Sequence, residues 1–222
     1  MVAVTEEKRV LALLADLLDY PCAGLAGKAA ECERLVARLV PAAGEPLSAF
    51  RAYLEATPLA DLEETYSGFF DLNPLCHPYV GYHLFGETYK RSVFLVGLKE
   101  RYAAHGFSVD PAELPDRVSV MLRFVATSAD ETLGRELLEE GLAPALERMS
   151  TANKANHPPV EAPSCGPELE GHSHGDVLEG GYLLRMSEAE SDHNGQPHPY
   201  WQALRALHLF LSTAPARRMA AG

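Results

Sequence analysis

No apolar run in this chain of 222 residues reaches the roughly 18 positions that a membrane-spanning helix needs. The N-terminus, MVAVTEEKRVLALLADLLDYP, lacks the basic start, unbroken apolar stretch and small-residue cleavage site of a secretory signal. A cytoplasmic location with no stable membrane insertion is therefore expected. Paired cysteines are missing too. Cys22, Cys32, Cys76 and Cys165 are scattered without a CxxC, which argues against a disulfide framework and a zinc ribbon. Positive charge is in short supply, and a net charge of −12 argues against nucleic acid, whose phosphates need a basic face. There is no GxSxG elbow, no GxxxxGKS/T phosphate loop, and no cysteine placed where its pKa would fall. An enzyme would be left without a nucleophile or a cofactor cradle.

What the chain does have is helical periodicity. Hydrophobic residues make up 47% and charged residues 23%, an ordinary balance for a globular protein. Thr5 is placed to cap a first helix whose opening turn carries Glu6 and Glu7, with Val10, Leu13, Leu14, Leu17 and Leu18 at helical spacing. Further helices are expected over about 25–40, 46–56, 59–70, 79–104, 115–127, 130–149 and 199–211. Pro115 would sit in the first turn of its helix. In the 79–104 segment, Tyr82, Phe85, Tyr89, Val93 and Val96 advance by three and four, which reads as one buried stripe. His83, Glu87 and Arg91 lie on its flank, and Glu87 and Arg91 are spaced for a weak ion pair. With no β-alternation of useful length, the class is all-α, a single-domain helical bundle.

Composition shifts after residue 150. Residues 151–197 are rich in proline, glycine and histidine, with one apolar cluster, YLLRM, and are expected to be a flexible, disordered insertion. The domain plan is thus a helical core at 1–150, the insertion at 151–197, and a C-terminal helix at 198–214 that completes the core.

Two metal readings arise. His83 and Glu87 at i and i+4, near Cys76 and His77, supply too few ligands for a site. His172 and His174 in GHSHGD are weak ligands in a flexible tract, and they keep open an alternative reading as a metal-handling protein. The remaining option is a surface for another protein: a helix flank offering an anion, a cation and a titratable imidazole.

The segments FFDLNPLCHPYVGYHLFGETYKRSVFLVGLKERYAAHGF and ELPDRVSVMLRFVA, with LLDYP, LAPALERM and HPYWQALRALHLFL, resemble the NarJ-type chaperones of respiratory nitrate reductase. These are the delta-subunit branch of the wider TorD/DmsD family, and the likeness runs in order over about 5–150 and 198–211. The resemblance implies a helical, non-catalytic cytoplasmic chaperone without a cofactor of its own. Its partner would be the apo catalytic, molybdenum-containing subunit, including that subunit's N-terminal segment, held for molybdenum cofactor insertion before membrane docking. Related branches serve selenate, chlorate, ethylbenzene and dimethyl sulfide oxidoreductases. On this reading Tyr82, His83, Glu87, Arg91, Glu113, Pro115 and Asp116 belong to a partner-binding groove or its wall. The chain departs from the family twice: ELPDR carries Arg117 where histidine is common in E-x-P-D-H, and the insertion replaces a short connection.

Overall fold

The computed structural model describes residues 2–72, 74–156 and 198–213. Among these the protein is all-α, its one β feature an isolated antiparallel bridge between Tyr79 and Arg117. The first helix, α1 (Val2–Leu17), is already under way at Val2, so Thr5 lies inside it and does not cap it. Its stripe is buried as expected: Val10, Leu13, Leu14 and Leu17, with Leu18 just beyond the helix, are shut away from solvent, and so is Leu11. Pro21, which cannot continue a helix, follows soon after. Next come α2 (Leu25–Leu39), a short 3₁₀ turn at Pro41–Ala43, α3 (Gly44–Ala56) and α4 (Leu59–Ser67), the last widening into a π turn at Gly68–Leu72.

The body is built by α1 packing on α2, α2 on α3, and α7 (Val118–Thr127) lying along α1. The last helix, α10 (Pro199–Ser212), returns to pack on α3, so distant ends of the sequence close one core. Pro199 begins it, where a missing N–H costs nothing. Phe50, Tyr66, Phe69, Phe70 and Tyr200 form the aromatic centre, with contacting ring centroids 4.7 to 5.7 Å apart. Such edge and tilted contacts add to what the burial of these large side chains contributes.

The long helix expected over 79–104 is two helices, α5 (Val80–Phe85) and α6 (Tyr89–Ala104). The break is at Gly86, whose φ of 62° and ψ of −163° only glycine adopts readily. Its N–H closes α5 on Tyr82 O, and extended Thr88 starts α6 afresh. The stretch at 130–149 is helical throughout but not uniformly α. It runs as α8 (Glu131–Glu136), a π segment at Leu137–Leu142 and α9 (Ala143–Asn156). α9 thus passes the expected end at 149 by seven residues, to Asn156. The rest of the expected insertion, with His172 and His174, lies outside the described residues.

Candidate functional site

The α5–α6 hairpin is fastened to the body at a buried charged point. Pro78–Val80 runs beside Asp116–Val118: Val80 N–H donates to Asp116 O, and Val118 N–H to Pro78 O. This short ladder keeps Pro115 and Asp116 out of α7, which begins only at Val118. Asp116 is 0% exposed, and its Oδ2 accepts from Gly81 N–H at 3.1 Å and from Arg91 Nε at 3.3 Å. The Arg91 guanidinium also stands over the rings of Tyr79 and Tyr82, at 5.5 and 5.9 Å. Burial pushes the Asp116 carboxyl above the usual carboxylate range, against the pull of Arg91. The expected Glu87–Arg91 pair does not form: Arg91 turns inward to a carboxylate 25 residues away, and Glu87 is exposed. A buried pair with a second donor outweighs an exposed helix pair worth only about 0.2–0.5 kcal/mol.

Around this brace the packing is close. A Cβ on Gly81 would stand 2.8 Å from Asp116 Oδ2, 3.0 Å from a Phe94 ring carbon and 3.2 Å from Arg91 Cγ. His83 Nε2 hydrogen-bonds His77 O at 2.8 Å, and burial holds its pKa below the ordinary value. Arg148 on α9 donates to His83 O and Leu84 O, satisfying carbonyls at the end of α5. Glu113 binds Arg117 and accepts from Tyr79 OH at 3.3 Å, while Arg117 also reaches Tyr66 OH. Pro115 O accepts from Tyr102 OH at 3.0 Å. Of the residues singled out in the sequence, Arg91, Glu113, Pro115 and Asp116 thus form an internal brace. Tyr82 and His83 are half-buried beside it, and Glu87 stands in solvent.

The outer face of α6 corrects the reading of a buried stripe. Tyr89 is 82% exposed, Val93 54% and Val96 56%. Only Leu98 and Tyr102, near the far end of α6, are buried. Beside this face runs a groove of about 380 Å³, floored by Leu84, Phe85, Phe94 and Leu137. Its rim holds Glu140 and an ion pair, Arg101 Nη1 to Glu136 Oε1 at 2.5 Å. The π segment brings Leu137, Glu140 and Gly141 to one wall. Periodicity identified the apolar residues but not their exposure. The available signal was Gly86 followed by Thr88, a helix stop and a helix start back to back.

Nothing among the described residues gathers three or more His, Cys, Asp or Glu side chains as a metal site. Burial pushes the Cys32 and Cys76 thiols up to about 12, so neither is a thiolate near neutrality. No helix of the described residues is long and apolar enough to cross a membrane.

Residues 37–154 match the family model described as "Nitrate reductase delta subunit". A Bacillus subtilis (strain 168) protein named "Probable nitrate reductase molybdenum cofactor assembly chaperone NarJ" is 34% identical over 93 residues. That match takes in 42% of this chain and 50% of the relative, so it spans half the relative's length. A solved structure from Archaeoglobus fulgidus, assigned as a redox enzyme maturation protein, is 20% identical, with a TM-score of 0.40 over 66% of this chain and 90% of that one.

Proposed function

This chain belongs to the nitrate reductase delta subunit family, and from that premise we propose that it is an assembly chaperone for a molybdenum-containing reductase. It binds the apo catalytic subunit, including its N-terminal segment, in the cytoplasm and holds it open for cofactor insertion. It does no chemistry of its own. Nitrate reductase is the client the family points to.

The observation that carries this reading is the uncovered apolar face of α6, where Tyr89, Val93 and Val96 stand exposed next to a groove with an apolar floor and a charged rim. A contiguous apolar patch on a folded protein marks an interaction site more often than an accident of composition. A helical client segment would lay one apolar face, residues i, i+3, i+4 and i+7 on successive turns, into such a groove. Tyr82, His83 and Glu87 then face the partner, and Arg91, Glu113, Pro115 and Asp116 hold the wall that presents them.

Calorimetric titration with the apo catalytic subunit tests the proposal. Replacing Tyr89 and Val93 together by serine should weaken binding by tenfold or more, since anchors at the centre of an interface dominate affinity. Folding stability should change by only about 0.5 kcal/mol, as for other exposed sites. Unaltered affinity would place the client elsewhere on the molecule.

A further inference from the structure

We infer that the first turn of α7 is a binding site for a small ligand carrying one oxyanion group, a carboxylate or a phosphate. A cleft of about 330 Å³ opens there beside Arg117, Ser119, Val120 and Arg123, and it shares no lining residue with the groove along α6. Ser119 is 1% exposed, and its hydroxyl has no hydrogen-bond partner. The buried Nε–H of Arg117 has none either. At the start of α7, Val118 N–H is taken by Pro78 O and Met121 N–H by Arg117 O. The N–H groups of Ser119 and Val120 between them have no backbone acceptor among the described residues. A helix start with free amides and a positive dipole end suits an anion.

The acids of the cleft sharpen the choice of ligand. Asp19, Asp110 and Glu113 line it as well, but each already has donors. Asp19 accepts from Arg123 Nη1 at 2.5 Å, Asp110 from Ala112 N–H at 2.9 Å, and Glu113 from Arg117, Leu114 N–H and Tyr79 OH. What stays unmet among the lining groups is one guanidinium N–H, two backbone amides and one hydroxyl that can donate or accept; the unpartnered acceptor near by, Asp116 Oδ1, is buried outside the lining. A buried polar group without a partner costs folding free energy, so the ligand that relieves this set must bring acceptor oxygens. Three carboxylates against two guanidiniums leave a single negative charge in excess. That excess repels anions and tells against a polyphosphate, so the unmet donors have to outweigh it, and they suffice for no more than one oxyanion on a larger, otherwise uncharged molecule filling the rest of the cleft.

The test is amide NMR of the full chain, titrated separately with inorganic phosphate and with acetate at constant ionic strength set by chloride. Saturable shifts at the Ser119 and Val120 amides are expected in at least one arm. The arm that saturates tells whether the natural ligand presents a phosphate or a carboxylate. Ser119→Ala should weaken that binding about tenfold or more, as loss of a hydrogen bond to a charged group does. The same substitution should leave the free protein as stable as before or more so, because it removes an unpartnered hydroxyl. Shifts that do not saturate, shifts equalled by chloride alone, or a Ser119→Ala protein that binds like the parent would overturn the assignment. So would a marked loss of stability in the unliganded variant, which would give the hydroxyl a partner inside the fold.

Discussion

Helices α1 and α6 are each 16 residues long, and each carries an apolar stripe at helical spacing. Their fates are opposite. In α1 the stripe is sealed between α2 and α7, whereas in α6 it faces outward and only two residues are buried. The lesson is that periodicity says a helix has an apolar face but not what covers it. In the body the cover is the chain's own; along α6, on our proposal, it is the client. The same division runs through the charges. Body ion pairs such as Arg9–Glu31 and Arg51–Glu55 lie at the surface, where each contributes little, while the hairpin has a buried pair, Arg91–Asp116, among its ties to the body.

The sharpest way to break this contrast is to truncate both stripes. Leu14→Ala should cost about 2–5 kcal/mol in chemical denaturation, as loss of a fully buried leucine does. Val93→Ala should stay within about 0.5 kcal/mol. Equal losses would mean that α6 is core. Next in size is Asp116→Ala, which strands the Arg91 guanidinium and the Gly81 N–H and should cost about 2–3 kcal/mol. Hydrogen exchange should then rise across 80–104 well before it rises in α1; uniform acceleration would show that hairpin and body open together. Gly86→Ala forces a side chain into a left-handed backbone and should cost about 1–2 kcal/mol, felt chiefly in the hairpin.

The smallest effect expected is on pH. Burial holds His83 below the ordinary 6.5, so below that pH the unfolded chain takes up a proton that the folded hairpin resists. Stability should be flat above about pH 7 on this account and fall as pH drops through 6.5. His105 works in the opposite sense: hydrogen bonds to Arg101 O and then Asp130 raise its pKa, favouring the fold on the acid side. Replacing His83 by Gln should lessen the acid-side fall. An unchanged profile would assign that fall to other groups, His77 first, whose pKa burial also lowers.

The all-α class and most helices were legible because proline and glycine punctuate a strong 3.6-residue pattern, and the body buries what that pattern marks. The hairpin was harder to read for two reasons. A helical stripe can run in register across a break, so Tyr82, Phe85, Tyr89 and Val93 look continuous although Gly86 divides them. And Arg91 had a local partner in view at Glu87, while its real one, Asp116, is brought close only by the ladder at Tyr79 and Arg117. Of the residues singled out for the site, Arg91, Glu113, Pro115 and Asp116 form an internal brace, Tyr82 and His83 lie half-buried beside it, and Glu87 stands in solvent. The residues that stand exposed on α6, Tyr89, Val93 and Val96, carry the periodicity of a core stripe.

Gly81 carries that brace into the language of codons. Any substitution there adds at least a Cβ, and that carbon meets Asp116, Phe94 and Arg91 at once. A change at the first or second base of a glycine triplet always alters the residue or ends the chain, so position 81 has no mild missense neighbour. Gly97, in the groove itself, has nothing within 4 Å of a built Cβ. Variants there would intrude on the space left for a visitor and leave the body undisturbed. In a saturation library sorted for folding, codon 97 should accept most residues other than proline and codon 81 should not; sorted, on our proposal, for reductase maturation, both should hold.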